Sequence, residues 1–187
     1  MRSLLRGILM LLLWAAPLGW GARAAGDAQT VRVLDLESMV AAGWEQQPPT
    51  STMRLLQYLV HGPAGGDNAL FVVYYFGPGQ GGSNAANIER WQSQFTTAEG
   101  GPVEPRITTS KAGDLPVTLV ELRGSYARSL GMGQGVEAQP DQTLLAAIVE
   151  TPKGNLFAQL HGPTGTVAAA RAAFEAFLAG LKPAARP

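Results

Sequence analysis

The sequence contains no cysteine, which excludes disulfide bonds and thiol chemistry. Charged residues are also few, at 15% of 187 residues against 46% apolar ones, and this balance excludes an intrinsically disordered chain. Long apolar runs are absent as well. Residues 8–16 are apolar throughout, but Pro17 ends the run well short of the about 20 residues that a membrane-spanning helix needs. The chain must therefore be stabilised by a hydrophobic core alone.

The start of the chain has the pattern of a signal peptide. Arg2 and Arg6 supply a positive charge, residues 8–16 supply an apolar region, and Ala22-Arg23-Ala24 ends it with small residues at the positions that signal peptidase reads. We expect cleavage after Ala24, and the alternative is an uncleaved membrane anchor. A lipid anchor is excluded because the chain has no cysteine to carry it. The expected location is therefore periplasmic or secreted.

This cleavage site divides the chain into three parts. Residues 1–24 are the predicted signal peptide, residues 25–183 a single globular domain, and residues 184–187 a tail. Cleavage removes three of the 14 basic residues, so the remaining chain has 11 basic and 14 acidic side chains and a net charge of −3. This balance disfavours nucleic acid as a partner. We expect a protein or small-ligand partner in the envelope and no membrane span after cleavage.

Hydrophobic periodicity predicts strands first, then a helix, more strands and a last helix. This order indicates an α+β domain with a mostly antiparallel sheet of six or seven strands, packed with two amphipathic helices. Residues 69–76 are apolar or aromatic at every position, which predicts a central strand covered on both faces. A helix is expected over about 84–96, and a second one whose start Thr164 or Thr166 caps. The predicted strands cover residues 31–36, 53–60, 69–76, 106–111, 117–123, 143–150 and 155–161.

Several motifs resemble a set of uncharacterised exported bacterial proteins. They are Gly43-Trp44, the segment FGPGQGGS over residues 76–83, and NIERWQSQF over residues 87–95. The likeness continues through residues 119–126 and 148–152, and it implies a cell-envelope or secreted location without a known activity. More loosely, the chain is similar to the layered α+β fold of PsbP and Mog1, families that act mainly as binding or accessory proteins. That second resemblance identifies no residue.

The glycine-rich turn before the first helix is a candidate ligand site. Backbone N–H groups of such a turn and the positive end of the helix dipole favour an anion. The alternative is a tight turn in which glycine supplies positive φ angles and a polar residue caps the helix. The candidate residues of this turn are Gly79, Gly81, Gly82, Ser83 and Asn84.

Two arginines are further candidates for ligand binding. Arg54 lies in a strand whose own face otherwise holds Leu56 and Tyr58, so its charge must reach solvent or pair with an acid, and an ion pair is the expected arrangement. Arg90 and Gln94 are i, i+4 neighbours on the first helix. They either line a pocket or form a solvated pair.

His61 and His161 stand in identical His-Gly-Pro segments, which we interpret as turns at the sheet edge. Two histidines without a third ligand make a weak metal site, and we expect no cofactor. No nucleophile motif such as Gly-x-Ser-x-Gly is present. The expected function is a non-enzymatic binding or accessory role, and the alternative is a hydrolase with a dispersed acid/base site.

Overall fold

The computed structural model describes residues 27–127 and 138–185. The predicted signal peptide and the end of the predicted tail lie outside these residues. The described chain contains two α-helices, α1 (Asn84–Gln92) and α2 (Thr164–Ala179), and a 3₁₀ turn over Pro63–Gly65. Its strands are β1 (Gln29–Val33), β2 (Leu36–Val40), β3 (Glu45–Gln46), β4 (Arg54–Val60), β5 (Ala69–Tyr75), β6 (Phe95–Thr96), β7 (Arg106–Ala112), β8 (Leu115–Tyr126), β9 (Gln139–Thr151), β10 (Gly154–Pro163) and β11 (Lys182–Pro183).

Eight of these strands form the main sheet, in the order β3-β4-β5-β10-β9-β8-β6, with β7 also paired to β8. A separate three-stranded sheet has the order β1-β2-β11. Every described pair of strands is antiparallel. The α+β class is therefore confirmed, but the main sheet is larger than the six or seven strands predicted. The extra strands β3 and β6 are two residues long, too short to produce a periodic signal in the sequence.

The central hairpins agree with the sequence. β4 pairs with β5, and β9 pairs with β10 along ten residue pairs. The predicted strand over residues 31–36 is wrong, because a tight turn at Leu34, with φ of 58°, divides it between β1 and β2. No helix in the described part of the chain is long and apolar enough to cross a membrane.

Both helices begin where the sequence predicts, but their caps differ. The Ser83 side chain caps α1 by accepting a hydrogen bond from the Ala86 backbone N–H at 3.2 Å, as predicted. The predicted threonine cap of α2 is wrong, since Pro163 takes the cap position and no side chain caps this helix. The Thr166 hydroxyl instead donates to the Asp67 carbonyl at 2.7 Å. This difference arises because β10 runs directly into α2.

The two faces of the main sheet are covered to different extents. Alternation along β5 places Phe71 and Val73 on the face that packs against α2, and both are at most 1% exposed. The other face carries Leu70, Val72 and Tyr74. Helix α1 is only nine residues long and packs against β8, near one edge of this face. Trp91 of α1 also reaches Phe157 of β10, with ring centres 6.4 Å apart, but Leu70 and Tyr74 of β5 stay partly exposed, so residues 69–76 are covered less fully on this face than on the other.

Candidate functional site

A pocket of about 300 Å³ lies on the α1 side of the main sheet, over β4, β5, β9 and β10. Its floor is formed by side chains that lie opposite each other on the paired strands β5 and β10. In one row Leu70 is opposite His161, and in a parallel row Val72 is opposite Gln159. The lining residues are Arg54, Leu70, Val72, Tyr74, Phe76, Arg90, Trp91, Gln94, Tyr126, Leu144, Phe157, Gln159 and His161.

Arg54 reaches this pocket because of a β-bulge. The register of β4 shifts between Arg54 and Leu56, so Arg54 lies opposite Tyr74 instead of sharing a face with Leu56. Its guanidinium carbon lies 5.3 Å from the centre of the Tyr74 ring, within cation–π range. Its Nη1 donates to Gln57 Oε1 at 2.7 Å. The expected ion pair is wrong, since no acid of the described chain lies within 4.0 Å of this guanidinium.

Arg90 reaches the same pocket from the last turn of α1, and the buried Asn87 holds it in place. The Arg90 Nη2 donates to Asn87 Oδ1 at 2.6 Å. The Asn87 side chain donates in turn to the carbonyls of Gly81 at 2.7 Å and Ser83 at 2.9 Å. Asn87 is only 3% exposed, so these bonds fix one orientation of its amide. Arg90 and Gln94 therefore both form part of a pocket wall, although Gln94 lies beyond the end of α1 at Gln92 and not on the predicted helix over 84–96.

The glycine-rich turn packs against Phe157, one of the residues that line the pocket. Gly81 has a φ of 94°, and a Cβ built on it would lie 2.8 Å from the Phe157 ring, so only glycine fits there. None of the five turn residues singled out by the sequence, Gly79, Gly81, Gly82, Ser83 and Asn84, is among the pocket lining. The Asn84 side chain donates to the Glu150 carboxylate at 2.9 Å. These contacts favour the tight-turn interpretation over the anion cradle.

His161 is the buried titratable group of the pocket. Its ring centre lies 4.1 Å from that of Tyr126 and 6.1 Å from that of Phe95. Its Nε2 is buried without a hydrogen-bond partner among the described residues. Burial lowers the pKa of His161 from 6.5 to about 4, so the imidazole is neutral at neutral pH. The interpretation of His161 as a turn residue at the sheet edge is wrong, because β10 is a central strand.

The two histidines do not share a site. His61 follows β4, and its Nε2 lies 3.2 Å from Glu45 Oε2 at the surface. It lines a different cavity, beside Trp44 and α2. No group of three or more His, Cys, Asp or Glu side chains within residues 27–127 and 138–185 could hold a metal ion.

The charge of the pocket is positive and uncompensated. Its lining holds two guanidinium groups and no Asp or Glu among the described residues. Four other cations of the described chain have acidic partners, among them Arg123 with Asp141 at 3.4 Å and Arg171 with Glu121 at 2.6 Å, whereas Arg32, Arg106 and Lys111 form no ion pair there. Two unpaired arginines beside apolar and aromatic walls are suited to an anionic group attached to an apolar body.

The sequence identified Arg54, Arg90 and Gln94 as candidates for a pocket, whereas the strand residues that form the rest of its lining were not predicted. A sequence pattern that indicates this lining is the alternation of Phe157, Gln159 and His161 in a strand that is otherwise apolar. Two polar side chains on one face of a central strand need an explanation, because buried polar groups require partners. Trp91 is 3% exposed and belongs to an apolar cluster of the core, yet it also forms part of the pocket wall.

Comparison with known proteins adds a likeness of shape. No family model and no curated protein matches the chain. Among solved structures, the chain is similar to the crystal structure of PA94 from Pseudomonas aeruginosa, a protein of unknown function. The two share 14% sequence identity with a TM-score of 0.48, and the match covers 86% of this chain and 100% of that one.

Proposed function

We propose that this chain is an exported, non-enzymatic binding protein of the cell envelope, and that its pocket holds a small ligand with a carboxylate and an apolar or aromatic body. The observation that carries the proposal is the placement of Arg54 and Arg90, without an acidic partner in the described chain, beside aromatic walls and a floor of apolar and uncharged polar side chains. A guanidinium prefers a carboxylate because its planar fork can donate two parallel hydrogen bonds. The bound anion would supply the charge partner that the protein does not.

The size and walls of the pocket support a small ligand. A volume of about 300 Å³ is at the lower end of the range for small-molecule sites. Tyr74 and Phe76 lie parallel, with ring centres 6.2 Å apart, and Phe76 meets Phe157 edge to face at 5.6 Å. Such a wall offers both faces and edges to another ring. An aromatic carboxylate therefore satisfies the charge and the apolar surface together.

The alternative, a hydrolase with a dispersed acid/base site, has less support from this pocket. Its described lining contains no carboxylate, serine or lysine that could act as a general base or nucleophile. His161 is held neutral, but no acid of the described chain pairs with its ring to orient it. Binding of a carboxylate ligand requires only the guanidinium groups and the aromatic walls that the described lining contains.

A titration with matched ligands tests the proposal. N-acetylphenylalanine carries the carboxylate and the ring, its C-terminal amide keeps the ring without the charge, and phenethylamine reverses the charge. We expect the acid alone to bind, and Arg54→Gln or Arg90→Gln to weaken it about tenfold each. Trp91 is in the pocket wall, so quenching of its fluorescence reports binding in a Trp44→Phe variant of the chain that begins at Ala25, which lacks Trp14 and Trp20.

Arg123→Gln is the matched control, because it removes the same charge from a side chain that is 65% exposed and lies elsewhere. It should leave the affinity unchanged. Equal binding of the acid and the amide, or an equal loss in all three arginine variants, would contradict a specific carboxylate site.

Export is tested separately. The N-terminal residue of protein recovered from the periplasm or medium should be Ala25. Recovery of an intact chain that begins at Met1 would overturn the cleavage, and with it the exported location proposed for the binding site.

A further inference from the structure

A second cavity, of about 750 Å³, adjoins the first on the same face of the sheet. The two cavities share Leu70 and His161, which lie opposite each other on β5 and β10. The second extends toward the start of β5 and the start of β9, where Asp67, Asn68, Gln139 and Gln142 contribute to its lining. Together the cavities form one groove along β5 and β10, which we call the sheet groove.

The two ends of the sheet groove differ in charge. Arg54 and Arg90 lie at one end, whose described lining has no acid. Asp67 lies at the other, whose described lining has no lysine or arginine. The Asp67 side chain forms no ion pair within the described chain, and its carbonyl is fixed by the Thr166 hydroxyl. A ligand with an anion at one end and a cation at the other would match both ends.

The middle of the sheet groove is polar as well as apolar. Gln159 lies on its floor, and His161 has a buried Nε2 without a partner among the described residues at the junction of the two cavities. Amide side chains both donate and accept hydrogen bonds, which suits a ligand whose backbone does the same. A hydrocarbon chain would leave these groups unsatisfied at a free-energy cost. The lining therefore favours a peptide over a fatty acid.

We infer that the sheet groove binds a short linear peptide with free ends, its C-terminal carboxylate at Arg54 and Arg90 and its N-terminal amine at Asp67. This inference rests on the proposed function and extends it to a ligand class. Asp67 and Tyr74, which mark the two ends, are seven residues apart, so the groove spans at most about 25 Å. An extended peptide rises about 3.3 Å per residue, so the groove holds at most about seven residues.

A length series of peptides tests the inference. Alanine peptides of two to eight residues that end in phenylalanine, with a free carboxylate, are titrated against the full chain by calorimetry. We expect the affinity to rise at least about tenfold from two to six residues, because each added residue gains contacts along the groove, and then to level off. N-acetylation of the hexapeptide should weaken it about threefold, as loss of an exposed ion pair does.

Asp67→Asn identifies where the amine binds. In this variant the free and acetylated hexapeptides should bind equally, and Asp114→Asn, an exposed acid in the turn between β7 and β8, should behave as the unmodified protein. If the affinity does not depend on peptide length while N-acetylphenylalanine binding still requires Arg54 and Arg90, the groove does not bind linear peptides along its length. The proposed carboxylate site would then remain supported. Affinity that rises along a series from hexanoate to hexadecanoate, and not along the peptides, would assign the groove to fatty acids instead. Failure of every carboxylate would overturn both proposals.

Discussion

The two faces of the main sheet use the same strands for different purposes. On the α2 face, five large apolar side chains are at most 1% exposed and belong to one cluster, namely Phe71, Leu145, Leu160, Phe174 and Phe177. The Tyr58 hydroxyl is buried in the same cluster without a hydrogen-bond partner among the described residues. On the α1 face, a shorter helix leaves room for a pocket lined by two arginines and a buried imidazole. The larger apolar cluster lies on the α2 face and a smaller one, around Trp91, Phe95 and Ile148, lies beside the pocket, so we expect the α2 face to contribute more of the stability. The second face can then accept polar groups that cost stability but bind a ligand.

Neighbouring residues of β5 give the largest test of this contrast. Phe71 is fully buried, with ring centres of Trp44 at 4.9 Å and Phe177 at 5.0 Å. Phe71→Ala should lower the free energy of unfolding by about 3–5 kcal/mol, since it leaves a cavity in a packed core. Tyr74→Ala, on the pocket face, should cost about 1 kcal/mol because its ring is only half-buried. Urea unfolding measures both, and equal losses would contradict the division between the faces.

His161 should make the pocket face sensitive to acid. Its pKa is lowered from 6.5 to about 4 by burial, so the unfolded chain takes up a proton more readily than the folded one. The neutral imidazole therefore contributes stability above pH 6.5 that is lost as pH falls toward 4. The loss should reach up to about 3 kcal/mol.

A His161→Phe variant isolates this effect, because carboxylates titrate in both proteins and cancel in the difference. The unfolding free energy of the variant relative to the parent should rise as pH falls from 6.5 to 4. A difference that is constant over this window would show that His161 titrates normally.

Gly81 tests the support behind the pocket wall. Gly81→Ala introduces a Cβ 2.8 Å from Phe157 at a positive φ, and should cost about 1–3 kcal/mol of stability. Gly79→Ala is the control, since it has a φ of 67° but nothing within 4 Å of its Cβ, and should cost about 1 kcal/mol. If both changes have the same effect in thermal unfolding, the contact with Phe157 does not constrain position 81.

Asn87 is predicted to position Arg90. Asn87→Ala removes the acceptor of Arg90 and the donor to two carbonyls, at a cost of about 1–3 kcal/mol in stability. It should also weaken N-acetylphenylalanine about fivefold, and this loss should vanish in an Arg90→Gln background while the loss of stability remains. If Asn87→Ala weakens binding equally in the Arg90→Gln background, Asn87 affects the affinity by destabilising the pocket wall and not by positioning Arg90.

The sequence predicted the fold better than the pocket for a physical reason. The β9–β10 hairpin follows from two apolar runs around a turn that ends at Gly154, with φ of 113°. The bulge beside Arg54 has no local signal, because alternation is the rule that it breaks. The groups that surround Arg90 and His161 come from strands far apart in the chain, so only the sheet order brings them together.

The most direct test of the account is which face of the sheet a carboxylate ligand touches. Leu70, Val72 and Leu144 have their side chains on the pocket face, and Val73, Leu145 and Leu160 on the α2 face of the same strands. In a methyl NMR titration with N-acetylphenylalanine, the first three should shift in a saturable manner that Arg54→Gln weakens, and the second three should stay in place. Equal shifts on both faces, or shifts confined to the α2 face, would contradict a binding site over β5 and β10.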